Sequence, residues 1–349
     1  MSKLILIKRF AWGVVAFLVV IVAIFSILIY KQIYSTNIIG TGNEKDFLYI
    51  PTDATFEDLI VILDQKKILI NENSFRWAAR QMNFEQRVKP GKYQLKPKMN
   101  NKDLISLLRS GKQIPVNVIF NNIRTREELS KRIGEQIEAK PQAILNLMND
   151  IDYTRRLGFT TENILAMFIP DTYEFYWNTS ADKFLLRMKK EFDKYWTIQR
   201  MEQARKIAFT SVQVSVLASI VQMESNKNDE KPVIAGVYIN RIKKGWKLEA
   251  DPTLVFALGD YSVNRVLSVY KEIDSPYNTY MYTGLPPGPI CLPTISSLNA
   301  VLNAVDHKYM YFCAKDDFSG YHSFAVSYDQ HLINAKRFQK ALDRRGIRS

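Results

Sequence analysis

The chain is poor in the residues that most often hold metals. It carries two cysteines, Cys291 and Cys313, and three histidines, His307, His322 and His331. The cysteines form no CxxC pair, neither set has zinc-ligand spacing, and no HExxH motif occurs. A Walker-type glycine loop and a GxSxG elbow are also missing. These absences argue against metal, nucleotide and serine-hydrolase chemistry, so no metal and no cofactor are expected. There is no dense arginine block either, and no recognisable nucleic-acid module. The net charge of +13 is therefore not read as nucleic-acid binding. Anionic lipid head groups and acidic wall polymers fit that charge better. An apolar content of 47% excludes a disordered chain, and 349 residues suffice for two domains.

One long uncharged apolar run is present, from Phe10 to Tyr30. At about 1.5 Å per residue it spans a hydrocarbon core of roughly 30 Å. Bulky residues continue to Ile27, Leu28, Ile29 and Tyr30, where a cleaved signal would carry small ones, so the run reads as an anchor. Lys3, Lys8 and Arg9 precede it, which predicts a cytoplasmic tail at 1–9, a membrane helix at 10–30 and everything later outside. Lys31 weakens that asymmetry without reversing it. The expected location is the cytoplasmic (inner) membrane, crossed once.

Residues 31–44 read as a short polar linker. Three short extended runs then each lead into a capped helix: Phe47–Ile50 before Thr55–Leu63, Tyr93–Leu95 before Asn101–Leu108, and Val116–Phe120 before Thr125–Ile133. Their unequal spacing excludes a solenoid. The first two make a small α+β module at 45–113, leaving 114–349 as a larger mixed α+β domain. Residues 140–166 read as helical, Lys183–Trp196 as an amphipathic helix, and Phe168–Trp177 as an aromatic run broken by Pro170.

Thr210-Ser-Val-Gln213 matches a capping box and opens a helix that is apolar around most of its circumference. Val214, Leu217 and Val221 share one stripe, and Glu224 continues it, with Asn226 as the expected C-cap. Desolvation and the negative end of the helix both favour a neutral carboxyl there, which suits a general acid. The plainer alternative is a solvated glutamate just beyond the buried turns.

Further along, Asp229-Glu-Lys-Pro232 opens another helix, whose stripe is Ile234, Val237, Tyr238 and Ile242. Read without further context, Glu230 is a helix-start residue and Arg241 a surface or ion-paired cation. Asp251-Pro-Thr253 begins a short helix ending at Gly259, with Asp251 as N-cap and an ionised carboxylate. Ser275–Pro289 combines four prolines and two glycines with three tyrosines and Asn278. It reads either as a sugar-binding aromatic loop or as a rigid structural one. A helix at Ile295–Val305, a hairpin of Tyr309–Ala314 with Tyr321–Val326, and a helix at Asp329–Arg345 complete the chain. His322 either faces a cleft or makes a core hydrogen bond.

The stretches FIPDTYEFYW, LASIVQMES, VIAGVYINRI, LEADPT, SPYNTYMYTGLPPGPI and YHSFAVSYDQH, in that order, resemble the MltG (YceG-like) family of endolytic murein transglycosylases. Two positions depart from the family's usual pattern, Cys291 in GPICLP and Ala250 in EADPT. The resemblance implies a LysM-like module at 45–113 followed by a catalytic domain at 114–349. The implied activity is cleavage of N-acetylmuramic acid–N-acetylglucosamine bonds in nascent peptidoglycan strands, leaving 1,6-anhydro ends. It further implies Glu224 as the catalytic acid and Glu230, Asn240, Arg241, Asp251, Tyr277, Asn278 and His322 as the other site positions. Peptidoglycan synthases are a candidate partner class that the sequence does not specify. Two other functions stay open at this point: a hydrolytic muramidase pairing Glu224 with Glu230 or Asp251, and a non-catalytic peptidoglycan-binding scaffold. Outside the cytoplasm Cys291 and Cys313 have two options, a disulfide or two free thiols.

Overall fold

The structure, a computed structural model, describes residues 2–39, 47–263 and 266–346. Its elements run α1 (Ser2–Tyr34), β1 (Phe47–Ile50), α2 (Phe56–Gln65), α3 (Glu72–Gln81), β2 (Gly91–Gln94), α4 (Asn101–Ser110), β3 (Pro115–Ile119), α5 (Arg126–Gly134), α6 (Pro141–Asn149) and α7 (Ile151–Arg156). There follow β4 (Thr172–Tyr176), α8 (Ala181–Tyr195), α9 (Ile198–Lys206), α10 (Ser211–Glu224), α11 (Lys231–Lys243), α12 (Asp251–Leu258), α13 (Ile295–Leu302), β5 (Tyr311–Ala314), β6 (His322–Ala325) and α14 (Tyr328–Arg344). The chain forms two compact units, Met1–Val116 with Glu174–Thr179, and Asn117–Tyr173 with Ser180–Ser349. The mixed α+β class expected from the sequence is what the structure shows.

In the first unit, α1 is long and apolar enough from Ile7 to Tyr34 to cross a bilayer, and its residues are exposed from Ile7 to Gln32. Beyond it, β1 and β2 pair antiparallel, Phe47 opposite Gln94 and Ile50 opposite Gly91. The inward residues Leu48, Ile50 and Tyr93 join Leu59, Leu63, Phe75, Phe84, Leu104 and Leu108 in one buried core. Side chains at the helix starts satisfy free backbone amides: Thr55 with Asp58 in a capping box on α2, Asn71 on α3, and Asn100 on α4. Helix α3, amphipathic and capped by Asn71, is not among the helices expected from the sequence.

The supposed linker behaves differently from its composition. Helix α1 continues through Tyr34, and Thr36 and Ile38 bridge to Asn100 and Leu69. The cause is Asn37, whose amide mimics a strand backbone. Its Nδ2 donates to Asn101 Oδ1 (2.7 Å) and to Asn71 O (2.9 Å), and its Oδ1 accepts from Asn71 N–H (2.7 Å). Asn101 Nδ2 and Ser74 Oγ in turn donate to Gln32 O, a carbonyl in the last turn of α1 that has no intrahelical partner. Residues 40–44 lie outside the described residues.

The second unit is built around α10. All eight residues from Val214 to Val221 are buried, and the helix packs against α11, α12 and α13. The Thr210/Gln213 capping box forms as expected. The helical stretch expected at 140–166 is instead α6 and α7, broken at Asp150, whose carboxylate caps the amides of Asp152 and Tyr153. A 3-10 turn at Ile164–Met167 follows. Strands β5 and β6 pair antiparallel, Tyr311 opposite Ala325 and Ala314 opposite His322. The loop from Ser275 to Pro289 comes so close to Glu162 that a Cβ built on Gly288 would sit 2.0 Å from the Glu162 carbonyl oxygen and 3.0 Å from the Tyr277 hydroxyl. Since a main-chain oxygen cannot swing aside, Gly288→Ala is expected to cost about 3 kcal/mol, read as a lowered urea midpoint.

Candidate active site

Helix α10 ends on Glu224 itself, one residue earlier than a cap at Asn226 would allow. Ser225 is the C-cap and is fully extended (φ −145°, ψ 140°). It leaves the helix because its hydroxyl donates to Glu230 Oε2 (3.1 Å) and accepts from Lys227 N–H (3.1 Å). Glu224 thus occupies the last helical position, half-buried, on the wall of a cavity of about 600 Å³. Its Oε1 accepts a 2.6 Å hydrogen bond from the hydroxyl of Tyr238, which α11 buries edge-on against Phe312. Loss of solvation is the main influence on this carboxyl and pushes its pKa up to about 7. The Tyr238 bond opposes that rise, nearby Asp251 adds to it, and Arg241 opposes it. A carboxyl titrating near neutrality can both give and take a proton.

Tyr238 is a site residue that periodicity hid, because it was counted in the apolar stripe of α11. The available signal was its hydroxyl, which needs a partner when fully buried. Tyr238→Phe removes the one contact among the described residues that favours the Glu224 carboxylate by hydrogen bonding. The alkaline limb of the pH–rate profile is expected to move to higher pH. Turnover is expected to fall about tenfold, the equivalent of one hydrogen bond of about 1.4 kcal/mol.

Of the other positions implied by the resemblance, only Asp251 shares the cavity wall with Glu224. Asp251 is not the N-cap of α12. Ala250 holds that position, and Asp251 begins the helix without a capping bond. The Ala250 backbone is already fixed, its N–H donating to Thr279 Oγ1 (3.0 Å) and its carbonyl accepting from Thr253 Oγ1 (2.7 Å). The Asp251 carboxylate is therefore released to Tyr280, whose hydroxyl donates to Oδ1 at 2.5 Å.

Glu230 and His322 meet behind the end of α10. Glu230 is the N-cap residue of α11, yet its carboxylate caps nothing in that helix. Its Oε1 accepts from the His322 backbone N–H (2.6 Å), and Oε2 contacts His322 Nδ1 (2.8 Å) as well as Ser225 Oγ. Arg241 is not a surface cation; it is ion-paired with Glu249, and carbonyls take its other bonds. It is buried, and it donates to the carbonyls of Met310 (2.8 Å, from Nε) and Leu248 (2.6 Å), with Glu249 at 3.3 Å on its edge. A guanidinium, with five donors, is suited to gathering carbonyls from two segments. Asn240 ties α11 to the His307 and Tyr309 carbonyls in the same way.

Asn278 is wholly buried, its Nδ2 donating to Lys271 O and Ile273 O and its Oδ1 accepting from Tyr280 N–H. The Tyr277 ring packs 4.7 Å from Phe256, and Phe256 lines the cavity. Burial pushes the Tyr277 phenol up to about 12. Both cysteines are free; Cys291 is buried against Ser219 and Gln222. Gln222 and Ser219, also missed from the sequence, bind α10 to the segment that follows the Pro-rich loop. Gln222 Oε1 accepts from Thr294 N–H, and Ser219 Oγ accepts from Ile290 N–H. No cluster of metal-ligating side chains occurs among the described residues.

The chain as a whole is similar to known proteins. An endolytic murein transglycosylase of Bacillus subtilis (strain 168) is 26% identical over 288 residues, which are 77% of this chain and 78% of that protein. One from Streptococcus pneumoniae (serotype 2, strain D39) is 22% identical over 309 residues, 78% of this chain and 55% of that longer protein. The crystal structure of a YceG-like protein from Listeria monocytogenes superposes with a TM-score of 0.55 at 27% identity, covering 83% of this chain and 98% of that one. The YceG-like family model matches residues 48–337. On that match, which runs through both compact units, this chain belongs to the YceG-like family.

Proposed function

We propose that the protein is an endolytic murein transglycosylase, anchored in the cytoplasmic membrane by α1 and acting on peptidoglycan outside it. The observation that carries this reading is the half-buried Glu224 carboxyl, set on a cavity wall and titrating near 7. Protonated Glu224 gives its proton to the glycosidic oxygen as the bond from that oxygen to C1 of N-acetylmuramic acid breaks. The resulting carboxylate takes the proton from O6 of the same sugar while O6 bonds to C1, closing the 1,6-anhydro ring. One residue serves both steps, and a proton transfer of this kind contributes about 10²- to 10⁴-fold.

Asp251 on the same wall favours a second reading, a hydrolytic muramidase, which needs two carboxylates. Mass spectrometry of strands cut by the full chain separates the two, because a hydrolysed end is about 18 Da (one water) heavier than an anhydro end. Anhydro ends are expected. Hydrolysed ends would replace the transglycosylase with the muramidase, and uncut strands would leave the scaffold. The orientation with residues 1–9 in the cytoplasm rests on Lys3, Lys8 and Arg9 before the span. The LysM-like reading of 45–113, which the resemblance supports, is part of the same proposal, with peptidoglycan synthases as the candidate partner class.

A further inference from the structure

Of the charged groups lining the cavity, the guanidinium of Arg124 is the one with no assigned task. Its backbone is held on both sides. Ile123 O accepts from Leu292 N–H (2.7 Å), and the Arg124 N–H donates to Glu128 Oε2 (2.7 Å). Those bonds fix the turn ahead of α5, so the side chain reaches the cavity from a rigid base. The guanidinium lies 4.5 Å from the centre of the Tyr261 ring, which also lines the cavity. Tyr261 belongs to an aromatic row with Phe256 and Tyr277. Among the described residues the guanidinium makes no hydrogen bond and no ion pair, although Glu127 and Glu128 lie near Tyr261. Among the described residues none of its five donors has a partner. The buried Arg241 of the same unit, by contrast, is occupied with carbonyls.

A planar cation held on an aromatic face keeps its fork oriented at little entropic cost and matches a carboxylate with two parallel hydrogen bonds. A neutral sugar hydroxyl presents that fork with a single oxygen and no charge. We propose that Arg124 is a substrate-binding residue that receives a carboxylate carried by the muramoyl substituent. This rests on the function proposed above and extends it, because the enzyme then distinguishes charged strands from neutral ones. The carboxylate has two possible sources. One is the peptide stem; the other is the lactyl group left when the stem is removed.

The test uses the full chain in detergent micelles and three strand preparations: stems intact, stems removed to leave lactyl carboxylates, and all carboxylates converted to amides. Cleavage and co-sedimentation are measured in parallel. The wild type is expected to prefer one carboxylate-bearing preparation over the amide by about 10- to 100-fold in kcat/KM, the range for hydrogen bonds to a charged group. Whichever preparation is preferred identifies the source. Arg124→Gln is expected to collapse that ratio towards one, and Arg124→Lys, which keeps the charge but loses the fork, to restore part of it. Equal handling of all three preparations by the wild type would overturn the proposal. So would an Arg124→Gln protein, folded by its melting curve, that loses activity on every preparation with the ratio intact. If no preparation is cut at all, the transglycosylase reading falls, while co-sedimentation still reads the carboxylate preference.

Discussion

Glu224→Gln is expected to lower strand cleavage by about 10²- to 10⁴-fold while raising the melting temperature at pH 8. The two effects have one origin. Glutamine keeps the shape and can still accept the Tyr238 hydrogen bond, but it has no proton to give. The stability change follows from the carboxyl's pKa of about 7 in the folded protein against the ordinary 4.5. Below pH 4.5 the group is neutral whether the chain is folded or not, so it costs nothing. Between 4.5 and about 7 the unfolded chain loses the proton first, and the folded state is penalised increasingly. Above about 7 the penalty is complete. Each pH unit is worth about 1.4 kcal/mol, and partial exposure reduces the total to roughly 1–3 kcal/mol. Melting curves of wild type and variant should therefore coincide near pH 4 and separate near pH 8, with the variant the more stable. A variant that melts lower at pH 8, or that still cuts strands at the wild-type rate, would be incompatible with Glu224 as a desolvated acid.

Glu230→Ala is expected to destabilise the second unit by about 3–5 kcal/mol. The carboxylate is buried and satisfies the His322 backbone N–H, the His322 ring and the Ser225 hydroxyl at once. Removing it leaves buried polar groups without partners, at about 1–3 kcal/mol each. The end of α10 should loosen too, because Ser225 is the residue turned out of the helix by this contact. Activity should fall with stability, although Glu230 does not line the cavity. Glu230→Gln retains an acceptor for the His322 N–H and should recover part of the loss. Urea unfolding of the three proteins, with cleavage measured well below each transition, separates the two effects. An alanine variant as stable as the wild type would show that water replaces the carboxylate without cost.

The legible part of this architecture is what local pattern controls. The strand-then-helix units at Phe47, Tyr93 and Val116, the α10 capping box and the αL glycines closing α4 and α12 depend on neighbours a few residues apart. Glu224 was legible for the same reason, as a carboxyl continuing an apolar stripe. What sequence order concealed was the choice of partner across distance. Arg241 looked like a surface or ion-paired cation because nothing nearby in the chain reveals that the carbonyls of Leu248 and Met310 converge on it. Asp251 had every local mark of an N-cap. Thr279, far along the chain, fixed the Ala250 backbone and left the carboxylate to Tyr280. Tyr238 and Arg124 were missed likewise, since a hydroxyl in an apolar stripe and a lone arginine before a helix are unremarkable until the fold gives them neighbours.

The Asn37, Asn71 and Asn101 network at the foot of α1 has a mechanical consequence. With Asn101 and Ser74 gripping the final turn of the helix, an anchor of the kind proposed above acts as a post and not as a leash. The small module cannot drift outward on slack chain, so its altitude above the lipid is dictated by how deeply the post is sunk. A thicker or thinner bilayer would then move the module bodily, converting membrane thickness into working height.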